Sequence, residues 1–108
     1  MVHSCGSIYR VIPRLIDAGI DALHPLQALA VGMEPERLAK EFGKDLVFAG
    51  GVDSQNLLVN GTPEQVRDRV HRLRDIFGPN YIVSSSHESL LPNVPFENVV
   101  AMARAAKD

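Results

Sequence analysis

Leu46-Val47-Phe48-Ala49-Gly50-Gly51-Val52-Asp53 is the stretch on which the fold turns. Its first four residues are apolar at every position. A strand with one wet face alternates, whereas a strand covered on both faces reads as a continuous apolar run. Leu46–Ala49 is therefore expected to be a covered strand of a parallel sheet. Gly50-Gly51-Val52-Asp53 is then the loop that leaves it. Two glycines let the backbone turn tightly or approach a ligand closely, and phosphate binding is one use of such a loop. Asp53 suits either a cap on a brief helix over Ser54–Leu58 or a ligand contact.

Downstream lies the strongest local signal. In Thr62-Pro63-Glu64-Gln65, threonine takes the N-cap, proline the first helical position and glutamine the third, which makes a capping box. Val66, Val70, Leu73, Ile76 and Phe77 follow the helical stripe, and Gly78-Pro79 ends it. Arg67, Asp68, Arg69, Arg72, Arg74 and Asp75 fall mostly outside that stripe and read as a solvated face with local ion pairs. Tyr81–Ser84 is the next strand, Ser85-Ser86-His87-Glu88-Ser89 a polar loop, and Pro95 begins a last helix. Its inner face is expected to carry Phe96, Val99, Val100 and Ala103.

Upstream the pattern repeats. Ser7–Ala18 carries Ile8, Val11, Ile12 and Leu15 at helical spacing, and Gly19 sits where a left-handed cap is wanted. Pro13 requires the regular helix to start late, so that proline falls in its first turn. Ile20–Leu23 is a short strand that His24-Pro25 is expected to end. Leu26 to Gly32 reads as a loop, with or without one short helical turn. Glu34-Pro35 opens a helix that Gly43 closes.

Strands alternating with helices argue for β/α units on a parallel sheet. No Gly-x-Gly-x-x-Gly follows a strand, so a dinucleotide-binding fold loses support. In β/α folds the loops after the strands carry the chemistry. Here those loops hold His3 and Cys5, then His24 and Gln27, then Gly50 to Asp53, then Ser84 to Glu88. The opposite loops are mostly helix exits and turns.

His3-Ser4-Cys5 contains the single cysteine of the chain. Residues two apart on an extended backbone face the same side. Imidazole and thiolate together are a zinc-type donor pair. Taken alone, the pair reads first as a small buried hydrophobe beside a hydrogen-bonded loop histidine. His24 reads as an oriented loop residue. His87 reads equally as a site residue or as a loop histidine bonded to Ser85 or Ser89.

With 108 residues the chain is long enough for one domain with one core. A net charge of −2 gives no basic bias, so nothing points to nucleic-acid binding by bulk charge. No apolar run is long enough to span a membrane. One cysteine fits a reducing, cytoplasmic setting. A candidate site within the first few residues suggests a cut through a larger domain.

Five pieces, His3-Ser4-Cys5-Gly6, Leu15-Ile16-Asp17-Ala18-Gly19-Ile20-Asp21-Ala22-Leu23, Phe48-Ala49-Gly50-Gly51-Val52-Asp53, Gly61-Thr62-Pro63-Glu64, and Ser86-His87 with Pro92-Asn93-Val94-Pro95, resemble in order and spacing the C-terminal part of the uroporphyrinogen decarboxylase superfamily. That superfamily holds uroporphyrinogen decarboxylases and cobalamin-linked methyltransferases on a (β/α)8 barrel. The resemblance implies that residues 1–108 are one partial domain, the C-terminal half of such a barrel. The half-barrel would be completed by self-association or by a missing N-terminal half.

The methyltransferase branch implies that His3 and Cys5 are zinc ligands. A later cysteine would be the third ligand. None exists here, and Glu88 or His87 stands in that loop. Zinc would activate an acceptor thiol, with a corrinoid, or a corrinoid protein, as methyl donor. The decarboxylase branch implies a catalytic His87 facing substrate carboxylates and no cofactor. Under either, Gly50, Gly51, Asp53 and His24 are candidate substrate contacts. The principal expectation is a zinc-dependent methyl transfer in the parent enzyme, and the alternative is uroporphyrinogen decarboxylation in porphyrin biosynthesis. A third is an oligomerising piece without activity, and in any case the chain is expected to be inactive by itself.

Overall fold

The computed structural model describes residues 1–87 and 89–108. Four parallel strands, β1 (Val2–His3), β2 (Ala22–Leu26), β3 (Val47–Val52) and β4 (Tyr81–Ser85), form one sheet in chain order. Between and after them lie α1 (Ile12–Asp17), α2 (Pro35–Phe42), α3 (Leu57–Asn60), α4 (Pro63–Phe77) and α5 (Phe96–Lys107). A single 3-10 turn, Tyr9–Val11, precedes α1. Strand order equal to chain order leaves no switch point in the sheet. With right-handed crossovers it places the connecting helices on one face. The architecture is that of part of an α/β, barrel-like fold.

Register shows which side chains meet those helices. Val2 pairs with Leu23, Leu23 with Phe48, and Phe48 with Tyr81. Leu23 and Phe48 are fully buried. The Phe48 ring lies 5.2 Å from that of Phe77 on α4, and Phe77 stacks on Tyr81 at 5.3 Å. Val66, Val70 and Leu73 of α4 complete this core with Leu38 of α2. The other face carries Ala22, His24, Val47, Ala49, Gly51, Ile82 and Ser84, with Ala49 and Gly51 buried at its centre. There Ile82 is 44% exposed. The outer edges of β1 and β4 pair with no strand among the described residues.

The expected punctuation holds at most helix ends. Pro13 falls in the first turn of α1, as its missing donor requires. Gly19 adopts φ +95°. Its N–H donates to Ile16 O at 2.9 Å and that of Ile20 to Leu15 O at 3.3 Å, the two bonds of a Schellman cap. The capping box of α4 is complete. Gln65 N–H donates to Thr62 Oγ1 at 3.2 Å and Thr62 N–H to Gln65 Oε1 at 2.9 Å. Its arginines bond across elements rather than along the helix: Arg72 faces Glu36, Arg67 faces Asp108, and Arg74 donates to the carbonyls of Ala105 and Asp108.

Two strand ends and one helix face differ from expectation. Strand β2 runs through His24-Pro25, a cis peptide, to Leu26. Proline has no N–H for the ladder, and the register towards β3 is irregular between Leu23 and Leu26. Strand β3 does not stop at Ala49. Gly50, Gly51 and Val52 continue it, opposite Val83, Ser84 and Ser85. The di-glycine serves a close approach of strands here: a Cβ on Gly50, at φ +126°, would stand 2.5 Å from Leu26 N. Helix α5 buries a different stripe from the one expected. Asn98 and Ala105 are buried, Ala101 and Met102 are half-buried, and Phe96 is 80% exposed. The reason is polar. Asn98 Nδ2 donates to Leu58 O and Gly61 O, both at 2.9 Å, and so fixes which side of α5 turns inward.

Candidate functional site

The carboxyl ends of β3 and β4 bring Asp53, Ser54, Ser86 and His87 together. Ser86 N–H donates to Val52 O at 2.8 Å, continuing the ladder past the strand ends. Ser54 N–H then donates to Ser86 Oγ at 3.2 Å. His87 Nδ1 lies 2.8 Å from Ser54 Oγ and 2.9 Å from Ser86 Oγ. Ser85 Oγ donates to the His87 carbonyl at 2.7 Å, which closes the turn. Both Ser54 and Ser86 are buried, at 1% and 3% exposure, while His87 is half-buried. The ring is thus held from below and open at its far side.

Above this centre is a cavity of about 240 Å³, lined by Gln27, Leu29, Asp53, Gln55, Ser86 and His87, with Ala28 and Ala30. Loops after β2, β3 and β4 all contribute to it. Asp53 caps the turn into α3. Its carboxylate accepts from the N–H groups of Gln55, Asn56 and Leu57 at 3.1, 3.0 and 3.1 Å. Gly50 and Gly51 are buried below the rim, enclosed by Leu26 and Leu73. The hydroxyl of Tyr81 donates to the Gly50 carbonyl, and burial holds its ionisation well above the usual tyrosine range.

His3, Cys5 and His24 form a separate group. Cys5 Sγ lies 3.2 Å from His3 Nε2, so the two side chains share a side as their spacing implies. The His3 and His24 rings are 5.5 Å apart. His24 sits within β2 rather than in a loop. Cys5 is exposed, so it is no buried hydrophobe. None of the three lines the cavity at His87. Gln27 stands between the groups, lining that cavity while its Oε1 accepts from Gly6 N–H at 3.1 Å.

The zinc expectation is corrected by this geometry. Among the described residues no group of three or more His, Cys, Asp or Glu side chains is placed to hold a metal ion. His3 and Cys5 remain a pair, and a zinc site needs three or four protein donors. His87 has its Nδ1 committed to two serines on the other side of the rim. Glu88, the other candidate ligand, lies outside the described residues. No step through zinc or a metal-activated corrinoid acceptor follows from these residues.

The expected bond between His87 and Ser85 is present, made to the His87 carbonyl, whereas the bonds from the ring to Ser54 and Ser86 are not foreseen by the sequence. Serines immediately after two neighbouring parallel strands were the available signal. Register alone brings such positions side by side.

Over 113 aligned residues the chain is 29% identical to a methylated-thiol–coenzyme M methyltransferase of Methanosarcina mazei. That alignment covers 100% of this chain and 27% of the relative, so the chain spans about a quarter of the length of the curated relative it matches. No helix among the described residues is long and apolar enough to cross a membrane. The family model for uroporphyrinogen decarboxylase (URO-D) matches residues 1–108. This corrects the expectation of a likeness to a C-terminal half only, since the match takes in the whole chain. The chain belongs to the uroporphyrinogen decarboxylase family.

Proposed function

We propose that the chain is a barrel segment of a uroporphyrinogen decarboxylase-type enzyme of the cytoplasm, and that it supplies the position where a substrate carboxylate meets His87. One observation carries the reading. A histidine held by two buried serines stands at the carboxyl ends of adjacent parallel strands and opens into a polar cavity. That is the end of a β/α sheet where chemistry is found. The cavity volume of about 240 Å³ is below that of a typical small-molecule site. It suits one acid arm of a larger substrate rather than a whole tetrapyrrole.

Decarboxylation breaks the bond between carbon and carboxyl, releases CO2 and returns a proton to the carbon left behind. An imidazole in the cavity gives the carboxylate a hydrogen-bond partner at the start of that sequence. The amides of Gln27 and Gln55 line the same cavity as additional donors. Asp53, its oxygens taken by three N–H groups, shapes the loop. The edges of β1 and β4, unpaired among the described residues, are places for further strands, from another copy or from the remainder of a parent enzyme.

Titration of the 108-residue chain with uroporphyrin, followed by fluorescence quenching, tests the reading. The octacarboxylate is expected to bind, its methyl ester to bind at least about tenfold more weakly, and His87→Ala to lose about tenfold or more in affinity for the acid. Equal binding of acid and ester, or no effect of His87→Ala, overturns it. A second reading, methyl transfer to a thiol, is favoured by the identity to the Methanosarcina relative. Transfer of labelled methyl to coenzyme M by the chain, without porphyrin binding, would put it in place of the first.

A further inference from the structure

We infer that Ser54 and Ser86 are positioning residues that lock His87 in the tautomer with its proton on Nε2, so that the ring enters the cavity as a neutral N–H donor. The use of that donor rests on the carboxylate reading above; its geometry does not.

Each serine hydroxyl has one proton to donate and two lone pairs. Ser86 Oγ already accepts from Ser54 N–H at 3.2 Å, so one lone pair is in use. The two hydroxyl protons need acceptors, because both serines are nearly inaccessible to water. Among the described residues the hydrogen-bond partner these hydroxyls share is His87 Nδ1, at 2.8 and 2.9 Å. A proton on Nδ1 would turn that partner into a donor and leave both buried hydroxyl protons without an acceptor. With Nδ1 bare, its single lone pair accepts one of the two hydroxyl protons, so one buried hydroxyl is satisfied where a protonated Nδ1 would satisfy neither. The imidazole proton is then on Nε2, which has no hydrogen-bond partner among the described residues while the ring lines the cavity.

The chemical consequence is selectivity. A neutral Nε2–H recognises an oxygen acceptor, such as a carboxylate or carbonyl. It offers no lone pair to a cation or to a substrate proton.

Long-range 1H–15N correlation spectra of the 15N-labelled chain, recorded above the usual histidine range, decide the point. Nδ1 of His87 is expected in the unprotonated range and Nε2 in the protonated range. The Ser54→Ala/Ser86→Ala double variant is expected to move both signals towards the average of two tautomers, and Ser54→Thr to retain the native pattern. A protonated Nδ1, or averaged signals in the native chain, overturns the inference. Should the double variant not fold, the native and Ser54→Thr spectra decide alone. Locked tautomers without uroporphyrin binding would uphold this inference and sink the carboxylate reading. Binding with a protonated Nδ1 would do the reverse.

Discussion

The two faces of the sheet are built from the same four strands and differ in nearly everything else. On one, Leu23 and Phe48 are fully buried, and Phe48 meets Phe77 of α4, which stacks on Tyr81. On the other, Ile82 is 44% exposed and His24 and Ser84 are only half-buried. The contrast is sharpest towards the edges of the sheet, because the central strand β3 is buried at every position from Phe48 to Val52. The covered face holds the domain together, while the bare one presents a surface that is apolar in part and lies below the rim groups. Apolar burial is worth roughly 25 cal/mol per Å², so the stability of the chain resides almost wholly on the first face.

Three substitutions test that contrast. Phe48→Ala should have the largest effect, a loss of about 3–5 kcal/mol in denaturant unfolding, because it empties the centre of the aromatic stack. A smaller loss would mean that α4 settles into the gap. Gly50→Ala comes next. The added Cβ would meet Leu26 N at 2.5 Å from a backbone at φ +126°, and over-packing of this kind costs about 1–3 kcal/mol. Because it pushes β2 and β3 apart beneath the rim, uroporphyrin binding should weaken in parallel. Ile82→Thr should change stability least, by within about 0.5 kcal/mol. A loss as large as that of Phe48→Ala would show that the bare face is covered in solution.

The same contrast explains what could be read from the residues alone. The buried elements announce themselves: the apolar run Leu46–Ala49 marks a strand covered on both faces, and the stripe Val66, Val70, Leu73 and Phe77 marks the helix face that packs on the sheet. Thr62, Gln65 and Gly19 mark their helix ends through local bonds, which sequence neighbours suffice to make. What escaped depends on distant partners. The extension of β3 through Gly50-Gly51 is set by the backbone of Leu26. The inward stripe of α5 is set by carbonyls of Leu58 and Gly61, about forty residues from Asn98. At the rim, His87 was legible as a candidate. Its serine partners follow from a register that no single stretch encodes, and the same register places His3 and Cys5 away from it.

Asn98 ties more than two helices. The Asp53 carboxylate gathers the N–H groups entering α3, and the carbonyls leaving α3 receive the Asn98 amide. A continuous chain of hydrogen bonds thus runs from a cavity wall to the back of the molecule. Helix α5 acts on the cavity as a splint acts on a joint, without touching it. A change on α5 that frees Asn98 should loosen the grip on a ligand while the sheet keeps its shape, so damage far from His87 would appear first as lost affinity and only later as lost fold.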